Sequence, residues 1–427
     1  MQVSLDRNET LAAQVGPFLQ WTEPVWGAVF VFGGRSGRLG DSRQYLKSVE
    51  YLDPILLEWK RGPDMTYARV GLAAVYVSNC YYVIGGYNQG SSGQAQKSVE
   101  KLDIHTFKWT ECAPLLIPRY GHSACESGGK IYVMGGDHSG SLIPFAERYD
   151  PDTNVWERLP DMPIRVAASR AIAIEGSIYL FGGCDPSVPG DRASDAILRF
   201  DPQTNRWTVL SVRMSIGRTA FSLAPAPGGV CVAGGFDLST RPETELSLVE
   251  QITVLGDAQH PPVSSLPSLP VARAGCQGVT IPLNSFPIFF EKASSMPMIV
   301  LGGEYVDSTT GVCRIFDTAT MLVNTDFLVS HEHKPPSNGL KSIVQNAFKR
   351  RTSSSDVGGA LSWSDTVLPP MERKRTAFAA CVGPVWPRGF RMNEVAPFEE
   401  NEYAPRSRER SGWPNLLHDW LRVSHST

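Results

Sequence analysis

An all-β fold of six repeated units is predicted by three features of the 427-residue chain. Six short apolar runs each end in a pair of glycines. A second run, often closing on aspartate, follows each pair. A tryptophan in four units and an arginine in all six then recur at near-constant distances.

The apolar runs read AVFVFGG, CYYVIGG, KIYVMGG, SIYLFGG, VCVAGG and PMIVLGG, and steps between their glycine pairs are 52, 50, 47, 52 and 68 residues. A run of Val, Ile, Tyr and Phe that stops at glycine reads as a strand ending in a geometry a Cβ would obstruct. The second strands are VEYLDP, VEKLD, AERYDP, ILRFDP and CRIFD. Trp59, Trp109, Trp156 and Trp207 lie 25, 23, 20 and 24 residues beyond the second glycine of their repeats. Arg69, Arg119, Arg165, Arg218, Arg273 and Arg375 each open a small-residue strand, and the first four precede the next pair by 16, 16, 17 and 16 residues.

Four strands in a period of about 50 residues resemble the Kelch repeat. The resemblance covers residues 17–382 and implies a six-bladed β-propeller of four-stranded antiparallel blades. It leaves residues 1–16 and 383–427 as tails. The large tryptophan is expected to fill the wedge between neighbouring blades.

The ends of the chain complement each other. Gly33 has no Met-xxx-Arg segment ahead of it, while Met371 and Arg375 have no glycine pair behind them. Residues 376–382 are therefore expected to supply the first strand of the first blade, which closes the ring without an exposed edge. Arg7 followed by TLAAQV offers an N-terminal alternative. Two insertions, 282–296 and 329–361, account for the irregular spacing, with Trp363 as the displaced tryptophan of the last blade. The fifth blade lacks a tryptophan, and Val263 or Leu266 is expected in its place.

Composition narrows the function. A net charge of −3 and a pI near 6.3 argue against nucleic-acid binding by bulk charge. No leader pattern opens the chain and no apolar run reaches 18 residues, so a cytoplasmic or nuclear setting without a membrane span is expected. Eight scattered cysteines without a CxxC pair read as reduced, mostly buried thiols, and the Asn8 sequon is expected to stay unused.

No catalytic or metal constellation stands out, so no cofactor is expected. His331-Glu-His333 lies in a polar loop without cysteine partners, and GxSxG, P-loop and GxGxxG patterns are absent. The Glu-xxx-Asp-xxx-His iron motif of related plant specifier proteins begins at Glu157 and Asp161 but meets Arg165. A small-molecule enzyme with its site in the channel is the alternative to a binding module.

Two loop sets recur in every repeat. One follows the glycine pair at Arg35, Tyr87, Asp137, Cys184, Phe236 and Glu304; the other centres on Arg69, Arg119, Arg165, Arg218, Arg273 and Arg375. The resemblance to Kelch-like substrate adaptors implies that both sets lie on one face at the channel mouth and grip a protein or peptide ligand, often an acidic one. Arginine forks pair with carboxylates, and Tyr87 and Phe236 would serve as anchors. Asp137 and Glu304 would temper the positive charge. A purely structural use of the arginines, bonding loop carbonyls, remains the other reading. Ubiquitin-ligase adaptor work is the family association, though no BTB, BACK or F-box region fits in the residues before the blades.

Outside the blades, Leu340, Ile343, Val344, Ala347 and Phe348 form an apolar stripe beside Lys341, Lys349, Arg350 and Arg351. Such a helix over 340–351 suits calmodulin or an anionic membrane surface, or packs on its own domain. Arg350-Arg351-Thr352-Ser353 has the form basophilic kinases accept, which makes Ser353 a candidate phosphorylation site. Trp413, Leu416, Leu417, Trp420 and Leu421 repeat the helical spacing in the C-terminal tail.

Overall fold

The computed structural model describes residues 25–36, 44–53, 58–88, 94–185, 193–226, 228–239, 244–255, 262–280, 298–306, 313–324, 361–364, 368, 370–371 and 373–385. The expectations for Arg7, Asn8, the 282–296 insertion, His331 and His333, the 340–351 helix, Ser353 and the Trp413–Leu421 helix lie outside these residues.

Six four-stranded antiparallel sheets follow one another along the chain. Blade 1 takes Val25–Phe32, Val49–Leu52 and Trp59–Arg61 from the start of the chain and Ala379–Val385 from its end. Blade 2 comprises Ala73–Val77, Cys80–Ile84, Val99–Asp103 and Trp109–Cys112. Blade 3 comprises Ser123–Ser127, Lys130–Met134, Ala146–Asp150 and Val155–Arg158. Blade 4 comprises Arg170–Ile174, Ser177–Phe181, Ala196–Asp201 and Arg206–Arg213. Blade 5 comprises Ser222–Ala226, Gly229–Ala233, Val249–Thr253 and Val263–Leu266. Blade 6 comprises Gln277–Thr280, Met298–Leu301, Ala319–Asn324 and Leu361–Ser364.

Closure is C-terminal. Ala379 pairs with Phe32 and Val385 with Val25, so the last described strand is the innermost strand of the first blade. Six apolar clusters then fill the six gaps between blades, the one between blades 6 and 1 joining Ile299 and Leu301 to Val29 and Val31. Both faces of each inner strand are therefore covered, which permits runs such as Cys80–Ile84 to be buried throughout.

The tryptophans sit where the repeat places them. Trp59, Trp109, Trp156, Trp207 and Trp363 oppose Leu52, Leu102, Tyr149, Phe200 and Leu322 across the outer pair of strands, and Val263 takes that place opposite Ile252. Three of the indoles donate to carbonyls of the loop leading into their own blade: Trp109 to Pro63 (2.9 Å), Trp156 to Ala113 (2.8 Å) and Trp207 to Pro160 (3.0 Å). Each is both wedge and latch.

One strand assignment is corrected. CRIFD does not form the third strand of blade 6, because Cys313–Ile315 pairs with Glu304–Val306 in a separate two-stranded ribbon. Ala319–Asn324 is the third strand, and the Asp317 that imitates a strand-closing aspartate precedes it.

Around the axis the chain builds a closed girdle. Gly71 donates its N–H to Ala377 O, Gly121 to Gly71 O, Ala168 to Gly121 O, Ala220 to Ala168 O, Gly275 to Ala220 O and Ala377 to Gly275 O, all between 2.7 and 3.0 Å. All six residues have left-handed backbone, φ between 51° and 64°, which suits the glycine at three of them, while Ala168, Ala220 and Ala377 hold it at the cost that a Cβ carries there.

Candidate functional site

The loop carrying the repeat arginine and the loop after the glycine pair meet on one face. Gly34 N–H donates to Arg69 O (2.8 Å), Arg69 N–H to Leu46 O (3.0 Å) and Gly86 N–H to Arg119 O (2.9 Å). The expected co-location is observed; the expected role of the arginines is not. Arg69, Arg119, Arg218, Arg273 and Arg375 are buried, with at most 2% of their surface exposed.

Each of these arginines works inside its own blade. Arg69 donates to Gly85 O and Ser98 O (both 2.9 Å) and pairs with Glu100 at 2.9 Å. Arg119 pairs with Glu147, Arg218 with Glu250 at 3.0 Å and Arg375 with Glu50, again with the carbonyl of the first glycine bonded. Arg273 reaches Gly302 O at 3.3 Å and Thr318 Oγ1 at 3.0 Å, since Thr320 occupies the glutamate position. Burial lowers the pKa of Arg69, Arg119 and Arg218 and their glutamates oppose that shift. Buried guanidiniums committed to carbonyls and a carboxylate, or in Arg273 to a carbonyl and a hydroxyl, offer nothing to a ligand, so these five are corrected from partner-binding to structural residues.

Arg165 is one residue out of place. Val166 O, not Arg165 O, accepts the Gly136 N–H (2.8 Å), so Val166 occupies the clasp position and Arg165 points to solvent. Leu198 stands opposite Leu180 where the other blades carry glutamate, and Val166 packs in the same apolar cluster. Blade 4 has exchanged an ion pair for an apolar pair.

The glutamates also shape the loop. The second carboxylate oxygen accepts from Thr66 N–H (3.1 Å), Leu116 N–H (2.8 Å) and Ser215 N–H (3.3 Å), in each case three residues before the arginine. The next residue turns outward there, and so does its counterpart in blades 4 and 6, where Pro163 and Pro270 precede it and no glutamate is present: Tyr67 and Val271 are 43% and 40% exposed, and Ile117, Ile164 and Ile216 are half-buried. Five blades thus present an apolar side chain at one loop position, with Leu116 (51% exposed) beside Ile117. Blade 1 has exposed Arg373 and Lys374 there instead.

The post-glycine set lies nearer the axis, where each residue bridges its arginine loop: Arg35 to Thr376, Tyr87 to Val70, Asp137 to Tyr120, Cys184 to Ala167, Phe236 to Thr219 and Glu304 to Ala274. Arg35 and Glu304 form an ion pair at 2.6 Å between blades 1 and 6. Half-buried Tyr87 meets Tyr120 edge-on at 5.3 Å and lies 6.4 Å from Tyr45. Phe236 joins Leu142, Cys184, Ala193 and Leu238 in an apolar cluster over blades 3 to 5. Asp137 is buried, and burial pushes its carboxyl up against the opposing bonds from Gly140 and Tyr120. The expected tempering charges are thus internal, Glu304 being neutralised by Arg35.

Residues 71–246 match the KLHDC2/KLHL20/DRC7 Kelch-repeats domain, and residues 27–66 match the Kelch motif. The chain belongs to the Kelch-repeat β-propeller family. It is 29% identical over 181 residues to Kelch-like protein 25 of Xenopus tropicalis, covering 42% of this chain and 23% of that one. It is 28% identical over 140 residues to Kelch domain-containing protein 8B of Rattus norvegicus, covering 31% and 38%. Over 95 residues it is 28% identical to Kelch-like ECH-associated protein 1A of Danio rerio, covering 22% and 16%. The match therefore spans well under half the length of these relatives. The structure of YjhT superposes with a TM-score of 0.53 at 16% identity, covering 71% of this chain and 95% of that one, a likeness of fold.

Within this Kelch propeller the rim residues Tyr67, Ile117, Ile164, Ile216 and Val271 escape a reading centred on arginine. The signal was present two positions before the clasp residue in every blade but the first. Its register in blade 4 emerges only once Val166 replaces Arg165 as the clasp position.

Proposed function

We propose that this chain is a non-enzymatic protein-interaction module that takes a peptide or protein segment on the arginine-loop face through the apolar rim. The observation that supports this is one loop position, repeated in five blades, where Tyr67, Ile117, Ile164, Ile216 and Val271 stand out from internally bonded loops. Preformed aromatic and aliphatic anchors limit the ordering cost of binding and dominate interface energetics. Tyr87 and Phe236 continue the apolar surface toward the axis, and Arg373 and Lys374 favour an acidic residue at the blade 1 sector of the ligand. The Kelch-like relatives support a substrate-recognition or scaffold role, and the scattered reduced thiols support a cytoplasmic setting.

Affinity purification compares the native chain with a Tyr67→Ser, Ile216→Ser, Val271→Ser variant. These are surface positions, so the melting temperature stays within a few degrees, while partners captured by the native chain fall at least tenfold. Equal recovery of the same partners by both proteins overturns the rim as the binding surface.

A further inference from the structure

Directly below the girdle, the innermost strands open with Ala73, Ser123, Arg170, Ser222, Gln277 and Ala379 at one shared level. Ser123, Ser222 and Gln277 have neutral polar side chains there, and Arg170 alone is charged. Its Nη1 donates to Ser169 O at 3.1 Å, and its Nη2 reaches from blade 4 to Cys276 O, just before the first strand of blade 6, at 3.2 Å. Nε is buried without a hydrogen-bond partner. Among the described residues no carboxylate pairs with Arg170, unlike the clasp arginines of four blades. Burial lowers its pKa to about 10, which leaves it charged at neutral pH.

A guanidinium has five N–H donors; with Nε–H buried and one N–H each of Nη1 and Nη2 given to a carbonyl, one N–H remains on each Nη. A desolvated cation without a counter-charge is costly, and the remaining edge of the fork has the geometry to hold two oxygens of one anion. The Ser123–Ser169 hydroxyl pair (2.8 Å) keeps one O–H that neither serine gives to the other, a further donor beside Arg170 in the chain. Arg170 as a whole is half-buried rather than sealed in the core. We propose that the channel contains an oxyanion-binding site centred on Arg170, suited to a carboxylate or phosphate group. The site is separate from the apolar rim and does not depend on the function proposed for it.

Isothermal titration of the full chain with inorganic phosphate, and separately with acetate, at fixed ionic strength tests the assignment. Saturable binding of at least one anion is expected, weakened tenfold or more in Arg170→Met and by less in Arg170→Lys, which keeps the charge but loses the fork. The arm that binds more tightly distinguishes phosphate from carboxylate. If Arg170→Met does not fold, the native chain and Arg170→Lys still decide. Absence of saturable binding to the native chain, or identical affinities in the native chain and the folded variants, overturns the site.

Discussion

Arg119 and Glu147 are each almost wholly inaccessible, and the cost of removing either one depends on the state in which its partner is left. Arg119→Val strands a buried carboxylate and is expected to cost about 3–5 kcal/mol in denaturant unfolding. Adding Glu147→Leu copies the Val166 and Leu198 pair that blade 4 already carries and recovers most of that loss. Blade 4 also has Pro163, and blade 6 Pro270, where the glutamate-bearing blades 2, 3 and 5 donate a loop N–H, so Leu116→Pro completes the exchange. A double variant less stable than Arg119→Val contradicts this account.

His122 is a second residue at odds with its surroundings. It is buried, neither ring nitrogen makes a hydrogen bond of normal geometry, and Leu72, Phe221 and Phe378 fill the same place in three other blades. Burial, and then the nearby positive Arg119 and Arg69, hold its pKa down to about 3. An unfolded histidine titrates near 6.5, so between these values the unfolded chain takes up a proton that the folded one does not. Its contribution is complete above about pH 6.5 and declines as pH falls toward 3, by roughly 1.4 kcal/mol per unit. His122→Phe is expected to flatten the loss of melting temperature across that window, with little change at pH 8. An unchanged acid slope rules this out.

At the level of strands and loops, legibility followed mechanism. Glycine pairs, wedge tryptophans and strand-closing aspartates have local causes, and all but one of the second strands read from sequence fall where expected. Asp103 and Asp201 accept turn N–H groups two and three residues on, at His105 and Thr106 and at Gln203 and Thr204. Asp317 carries the same letter without that turn and misplaced a strand. The arginines were legible as a set but not in role, because exposure is decided by the partner: Glu50, Glu100, Glu147 and Glu250 lie in strands a full hairpin away and draw the side chains inward. Arg165 misled for a smaller reason, its 17-residue spacing to Gly182 exceeding the 16 of its counterparts by the one residue that turns it outward.

For the whole molecule, closure joins the two ends of the chain in one sheet. Ala379–Val385 covers the edge of Val25–Phe32, and its Phe378 and Ala379 enter the clusters on both sides of blade 1. Truncation after Thr376 is expected to expose a long apolar edge and yield aggregated or non-cooperatively melting protein by size-exclusion chromatography and calorimetry. A truncated chain that stays monomeric and melts in a single sharp transition excludes this role for the strand.

The axial girdle is a circuit of amide dipoles laid head to tail with no terminus. An open row of such groups ends in one orphan donor and one orphan acceptor; a loop has neither. Parting any two neighbours creates both at once, so the throat has no half-open state of low energy. Outward breathing of a single sector is accordingly resisted by the whole circle, and the rigid rim above it inherits that stiffness.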